Sequence, residues 1–334
     1  MSDAETKDPI LVINNLSTRF DTRAGSAMAV DNVSMSIKPG ETLCVVGESG
    51  CGKSITALSI MGLVPHPGKV IAGEVTFRGE NMRNKTEREL AKFRGNLISM
   101  IFQDPSSALN PVHTVGRQIA EVYRLHKGMN KQQAHEASVA MLTATGIPDP
   151  QTRMRAYPHE MSGGMAQRIM IAMALACQPE VLIADEPTTA LDVTIQAQIL
   201  DLMRDLQTKT GTATILITHD LGVVAEMADN VAVMYAGQIV EYADVDTLFK
   251  SPQHPYTKAL LRSIPVIGKD QEMLEVIEGR VPNLLSPPKG CRFAPRCQAR
   301  KAANEPRCQT DIPDLTEITD NHQARCWLLE GNSK

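Results

Sequence analysis

An α/β fold with a mixed central sheet, an antiparallel β part, an inserted helical segment and a small cysteine-rich end is what this 334-residue sequence predicts. Three observations point there. Short, evenly apolar runs at 97–102, 181–184 and 213–217 have the length and composition of strands buried on both faces. A glycine-rich loop at 47–54 lies between one such run and a stretch with helical spacing. From about 110 to 158 strand signals vanish and amphipathic helical spacing replaces them.

Residues 10–37 alternate loosely in the manner of antiparallel strands and end at the turn signal Lys38-Pro39-Gly40-Glu41. Phe20 lies in the first of these segments, where an aromatic ring either stacks on an adenine or fills the core. The run 41–46 then delivers Gly47-Glu48-Ser49-Gly50-Cys51-Gly52-Lys53-Ser54, with helical spacing over 55–61. Strand, loop and helix in that order are the context of a phosphate-binding P-loop. Gly47, Gly50 and Gly52 let the backbone wrap closely, and the N–H groups of Ser49 and Cys51 with their neighbours point at an anion at the positive end of a helix. Lys53 reaches the β- and γ-phosphates in this reading, and the Ser54 hydroxyl is a Mg²⁺ ligand.

A strand at 74–79 follows, and the run 97–102 ends at Gln103-Asp104-Pro105. Loops at the ends of parallel strands face the ligand crevice, which places Gln103 near Mg²⁺ or an attacking water. Taken alone, Gln103 is an ordinary exposed loop residue. Segments 115–125 and 131–142 carry Ile119, Val122 and Tyr123 on one apolar face and Val139 and Leu142 on another. Ser162 is a natural N-cap for an apolar helix running to about Ala176, and Gly163 and Gly164 leave backbone N–H groups open to a phosphate. The strand at 181–185 ends in two acids: Asp185 suits the Mg²⁺ shell, and Glu186 suits polarising a water. Asp192 follows in a loop before a helix over 194–207. His219 stands at the end of the strand 213–218, placed for a bond to a γ-phosphate. Residues 231–235 and 238–242 form a hairpin around Ala236-Gly237.

Hydrophobic content of 43% and charged content of 22% are those of a globular protein. A net charge of −4 argues against a polyanion-binding surface, so no nucleic-acid partner is expected. The polar N-terminus carries no signal peptide, and the longest apolar run, 169–177, falls short of the ~18 residues that span a bilayer. The expectation is a cytosolic chain that meets a membrane only through partners.

These residues resemble the ATP-binding-cassette ATPases over 10–261. The resemblance implies a Walker A loop at 47–54, a Q-loop at Gln103, a signature at Ser162-Gly163-Gly164, Walker B acids Asp185 and Glu186, a D-loop at Asp192 and a switch at His219. It implies Mg²⁺ held by Ser54, Gln103 and Asp185, and catalysis by Glu186, His219 and Gln103. Met161 and Met165 depart from the commonest signature, the latter removing an amide. Two such domains close head to tail around ATP in this family, and hydrolysis reopens them.

Residues 103–111, 233–237 and His254-Pro255-Tyr256-Thr257 are similar to the ATPase subunits of dipeptide, oligopeptide and nickel importers. That likeness implies a second, homologous ATPase, two membrane permeases and an extracytoplasmic binding protein, with this chain on the cytoplasmic face of a bacterial membrane. Residues 102–110 would meet the permeases. Peptide is the expected cargo; nickel or another small solute is the alternative, and a soluble ATPase acting on ribosomes or DNA is a third reading. The expected domains are an ATPase core at 10–109 and 159–245, a helical subdomain at 110–158 and an extension at 246–334. From Pro282 onward the tail is too small for a large core and is expected to be a stapled appendage. Cys291, Cys297, Cys308 and Cys326 each have a basic neighbour, which favours thiolates. Four thiolates suit Zn²⁺ or an iron–sulfur cluster, and their spacing does not choose. The resemblance implies a [4Fe–4S] cluster there, with Zn²⁺ or unliganded thiols as the alternatives.

Overall fold

The computed structural model of the chain describes residues 8–189, 191–263 and 277–329, apart from the side chain of Leu206. The expected extension at 246–334 is therefore described except for 264–276 and 330–334, which lie outside those residues. Its strands are β1 (Leu11–Thr22), β2 (Gly25–Ile37), β3 (Thr42–Val46), β4 (Gly68–Phe77), β5 (Glu80–Asn81), β6 (Ile98–Ile101), β7 (Val181–Asp185), β8 (Ala213–Thr218), β9 (Asn230–Tyr235), β10 (Gln238–Asp244), β11 (Thr316–Thr319) and β12 (His322–Ala324). They fall into two compact units. One is built mainly from Ile37–Thr42 and Phe77–Ile217, the other from Val12–Ser36, Leu43–Thr76 and the described residues after 217.

In the first unit β6, β7 and β8 form a parallel ladder, with Ile98 opposite Val181 and Val181 opposite Ala213. All three are buried along their length, as their unbroken apolar sequence requires. Parallel strands end on one side, so the loops after β6 and β7 bring Gln103 and Glu186 to the same edge. The helix Val115–Lys127 starts at Thr114, whose hydroxyl accepts from the Arg117 N–H, and stops at Gly128 in the left-handed conformation. The helix Lys131–Ala144 opens with a capping box between Asn130 and Gln133. Val115, Ile119, Tyr123 and Leu142 pack on Ile169, Ala172 and Ala176 at the far side of the helix Gly163–Leu175. Val122 and Val139, expected on the apolar faces, are only partly buried at the fringe of this core. The helical segment thus anchors the helix that Ser162 begins.

In the second unit one sheet has the order β2-β1-β4 and another the order β11-β12-β10-β9-β3. β9 runs parallel to β3 and antiparallel to β10, so the sheet is mixed. The expected hairpin is the β9–β10 pair. The tail, expected as a stapled appendage, adds two strands to this sheet: Glu241 pairs with Ala324 and Tyr242 with Gln323. That addition left little sequence signal, because β11 is exposed throughout and β12 is three residues long. Among the described residues no helix is long and apolar enough to cross a membrane.

Candidate functional site

The phosphate loop hangs between β3, every residue of which is buried, and the helix Lys53–Met61. Two glycines are required by their surroundings. Gly52 has φ +107 and caps the helix, and a Cβ there would collide with the carbonyl oxygen of Ala29. A Cβ on Gly47 would collide with the carbonyl of Met234. Ser49 and Gly50 are exposed at the crest, while Cys51 is fully buried. Burial pushes the Cys51 thiol above its usual range against the pull of Lys53 beside it, so it is a neutral packing group. Lys53 is 5% exposed, and its ammonium donates to the Gly47 and Glu48 carbonyls at 2.8 and 3.1 Å. A buried cation at a helix N-terminus inside a loop of backbone amides is a site for an anion. Ser54 follows it, half-buried on the first helical turn. Phe20 is half-buried on β1, its ring lying over Gly68. In the same unit His219 is exposed directly after β8.

In the other unit Asp185 is 3% exposed at the end of β7. Glu186 adopts φ 47, a left-handed conformation that a non-glycine residue holds only under constraint. The constraint is visible. Its N–H donates to the Ile217 carbonyl at 2.9 Å, and one carboxylate oxygen accepts from Gln103 Nε2 at 3.1 Å and from Thr189 Oγ1 at 3.0 Å. The backbone turn thus swings the carboxylate towards Gln103. Ser162 Oγ accepts from the Met165 N–H at 3.3 Å, and Asp192 Oδ1 accepts from the Ile195 N–H at 3.0 Å. Both cap their helices, and Ser162, Gly164, Met165, Leu191 and Asp192 border one groove. Gly163 has open space where a Cβ would stand.

All four tail thiols are free, with Cys297, Cys308 and Cys326 buried and Cys291 half-buried. Burial is the main cause raising each of them, Cys308 to about 11 and Cys326 to about 12, with other tail thiols adding to the rise at Cys291, Cys308 and Cys326. The cations that pull against this are Arg325 at Cys291, Arg300 and Lys301 at Cys297 and Arg300 at Cys308, not the neighbours in sequence expected to favour thiolates, and desolvation outweighs them. The free thiols are therefore protonated at neutral pH. Among the described residues no three His, Cys, Asp or Glu side chains are grouped to hold a metal ion.

Residues 30–189 match the family described as ABC transporter, and residues 240–303 match the oligopeptide/dipeptide transporter C-terminal region. Over 324 residues the chain is 50% identical to the dipeptide transport ATP-binding protein DppD of Bacillus subtilis, covering 97% of this chain and 96% of that protein. The chain belongs to the ABC transporter ATPases. The oligopeptide transport ATP-binding protein AppD of the same organism is 52% identical, over 96% of this chain and 97% of that one. Among solved structures, a dimer of the ATP-binding cassette MJ0796 bound to ADP and Pi matches with a TM-score of 0.65 at 26% identity, covering 70% of this chain and 98% of that chain.

Several residues of this ABC ATPase that shape the site carried no signal in the sequence. Gln167 is 1% exposed, and its Nε2 donates to the Pro187 carbonyl at 2.7 Å, tying the helix begun by Ser162 to the loop after Glu186. Thr189 orients Glu186. Tyr256 Oη accepts from the Glu48 N–H at 2.9 Å, fixing the second residue of the phosphate loop. Gln167 and Tyr256 act across 20 and 208 residues, where spacing gives no signal, and Thr189, three residues from Glu186, is a turn threonine that spacing does not single out.

Proposed function

We propose that this chain is the ATP-hydrolysing subunit of an importer for di- or oligopeptides. The observation that carries the reading is full-length similarity, tail included, to proteins named for dipeptide and oligopeptide transport. Lys53 holds the β- and γ-phosphates, and the loop amides from Gly47 to Ser54 cradle them. Ser54, Asp185 and Gln103 serve the Mg²⁺ ion. Glu186, turned by its left-handed backbone and steadied by Gln103 and Thr189, takes the proton of the attacking water. His219 bonds the γ-phosphate, and Phe20 stacks on the adenine. Ser162, Gly163, Gly164 and Asp192 meet the nucleotide held by a second, homologous ATPase subunit.

The working domains are the core at 10–109 and 159–245, the helical subdomain at 110–158 and the extension at 246–334. Two permeases receive the assembly on the cytoplasmic face of the membrane, and an extracytoplasmic binding protein supplies the peptide. Purification from native membranes in mild detergent tests this: two polytopic permeases and a second ATPase should accompany the chain. Ribosomal proteins or nucleic acid in their place would refute the transport assignment and leave the ATPase standing.

The tail donors are four thiols, the ligand type of iron–sulfur and zinc centres. Cys291, Cys297 and Cys308 each raise the pKa of another tail thiol, although among the described residues they are not grouped to hold a metal ion. Cys291, Cys297, Cys308 and Cys326 would hold a [4Fe–4S] cluster as thiolates, which would staple the tail in place of a larger core. Zn²⁺, which four thiolates also suit, is the alternative. Iron and sulfide should be found after anaerobic purification; a colourless protein lacking both would refute the cluster.

A further inference from the structure

The tail reaches the phosphate loop through one side chain. Arg296, 5% exposed, directs Nη1 to both carboxylate oxygens of Glu48 at 2.9 and 3.0 Å. The same nitrogen reaches Tyr235 Oη at 3.2 Å, while Nη2 donates to the Ile277 carbonyl at 3.0 Å and Nε to that of Glu278 at 2.9 Å. The guanidinium is thus locked before it meets the loop. Phe293, three residues earlier, packs against Tyr235 and Tyr256 with ring centroids 5.3 and 5.4 Å apart, and Tyr256 takes the Glu48 N–H.

Glu48 is consequently held at three points: its N–H by Tyr256, its carboxylate by Arg296 and its carbonyl by Lys53. Only the last of these can be given up during the reaction. An ammonium drawn to a phosphate leaves the Gly47 and Glu48 carbonyls, and the loop then keeps its shape through Tyr256 and Arg296. The neighbouring Arg292 acts in parallel, bonding Asp31 and the carbonyl of Ala236, and the N–H of the adjacent Gly237 donates to the Cys51 carbonyl at 2.7 Å.

We infer that Arg296 is a positioning residue for nucleotide binding, through which the cysteine-rich tail holds the phosphate loop open by way of Glu48. The inference rests on reading residues 47–54 as the phosphate loop. Loss of a charge-assisted, two-oxygen contact of this kind should weaken ATP binding by about tenfold. The test is equilibrium titration of the full chain with MgATP, with steady-state hydrolysis measured alongside.

Arg296→Gln and Glu48→Gln should each lower ATP affinity about tenfold, raise KM in parallel and change kcat far less. The double variant should be no weaker than either single, because both remove the same contact. Arg296→Lys, which keeps the charge and loses the fork, should recover part of the affinity. Wild-type affinity in Glu48→Gln, which leaves the tail intact, would overturn the inference even if Arg296→Gln fails to fold. Fully additive losses would overturn it too, by showing that Arg296 acts elsewhere. Lys53→Ala separates the two readings. If it binds ATP as the wild type does, the phosphate-loop reading falls and the inference with it; if it loses binding while Arg296→Gln keeps it, the Arg296 claim alone falls.

Discussion

Glu186 combines two properties that set it apart from Asp185 beside it: a left-handed backbone, and a carboxylate steadied by an amide and a hydroxyl. Asp185 is buried at the strand end, in the place proposed for a Mg²⁺ ligand. Glu186→Gln should therefore leave ATP binding intact and lower hydrolysis by about a hundredfold or more in the assembled transporter. Unchanged turnover would remove Glu186 from catalysis. Gly52→Ala should act on binding instead, since its Cβ meets the Ala29 carbonyl at a φ that side chains rarely adopt; undiminished ATP affinity in that variant would show that the loop can shift. The loop's glycines were legible in the sequence as a spaced motif, although the carbonyls that require them, of Met234 for Gly47 and Ala29 for Gly52, lie far off in the chain. The Gln103–Glu186 bond was not, since 83 residues separate its partners and only the parallel pairing of β6 and β7 brings them together.

Helices and strands place these residues, and two contacts between elements can be tested alone. Ile119 is fully buried in the core that holds the helix Gly163–Leu175, so Ile119→Ala should cost about 2–5 kcal/mol, seen as a lower melting temperature. The amphipathic spacing that pointed to Ile119 and Tyr123 was sound. Val122 and Val139 pack against the same core but are only partly buried, because a face read from spacing alone is wider than the part a neighbour covers. At the start of the helix Pro255–Arg262, His254 caps by accepting from the Tyr256 N–H, and its own N–H donates to the Glu241 carboxylate at 2.8 Å. Burial, reinforced by the charge of Arg325, lowers the His254 imidazole from its usual 6.5 to about 3. Between those values the unfolded chain takes up a proton that the folded one refuses, so stability is complete above pH 6.5 and is lost as pH falls towards 3. The loss is at most about 1.4 kcal/mol per pH unit from this group. Melting temperature should fall from pH 7 to pH 5, and His254→Gln should flatten that slope; an equal slope in the variant would assign it to other groups.

At the scale of the molecule, the tail is where the sequence was least legible. Its cysteines stood out by composition, but β11 and β12 are too short and too exposed to announce themselves. Their partner, β10, gives the reason they matter. Glu241 on β10 is fully buried and accepts from the Gln253 and His254 N–H groups at 2.6 and 2.8 Å, with His322 Nε2 of β12 at 2.8 Å from the same carboxylate. Removing residues from Pro282 onward would strip this carboxylate of its imidazole, expose the β10 edge and take Arg292 and Arg296 away. The truncated chain should self-associate through that edge, visible by size-exclusion chromatography, and bind ATP more weakly. Loss of the proposed cluster alone should do less, because β12 and the two arginines are held by bonds that need no metal. Since the thiols are protonated when free, ligation must expel their protons, and reconstitution with iron and sulfide should tighten as pH rises. A Cys308→Ser chain that loses iron yet stays monomeric would separate the two roles, the sheet belonging to the strands and the metal to the thiols. If it aggregated as the truncated chain does, the thiol centre itself would be what keeps β12 on β10.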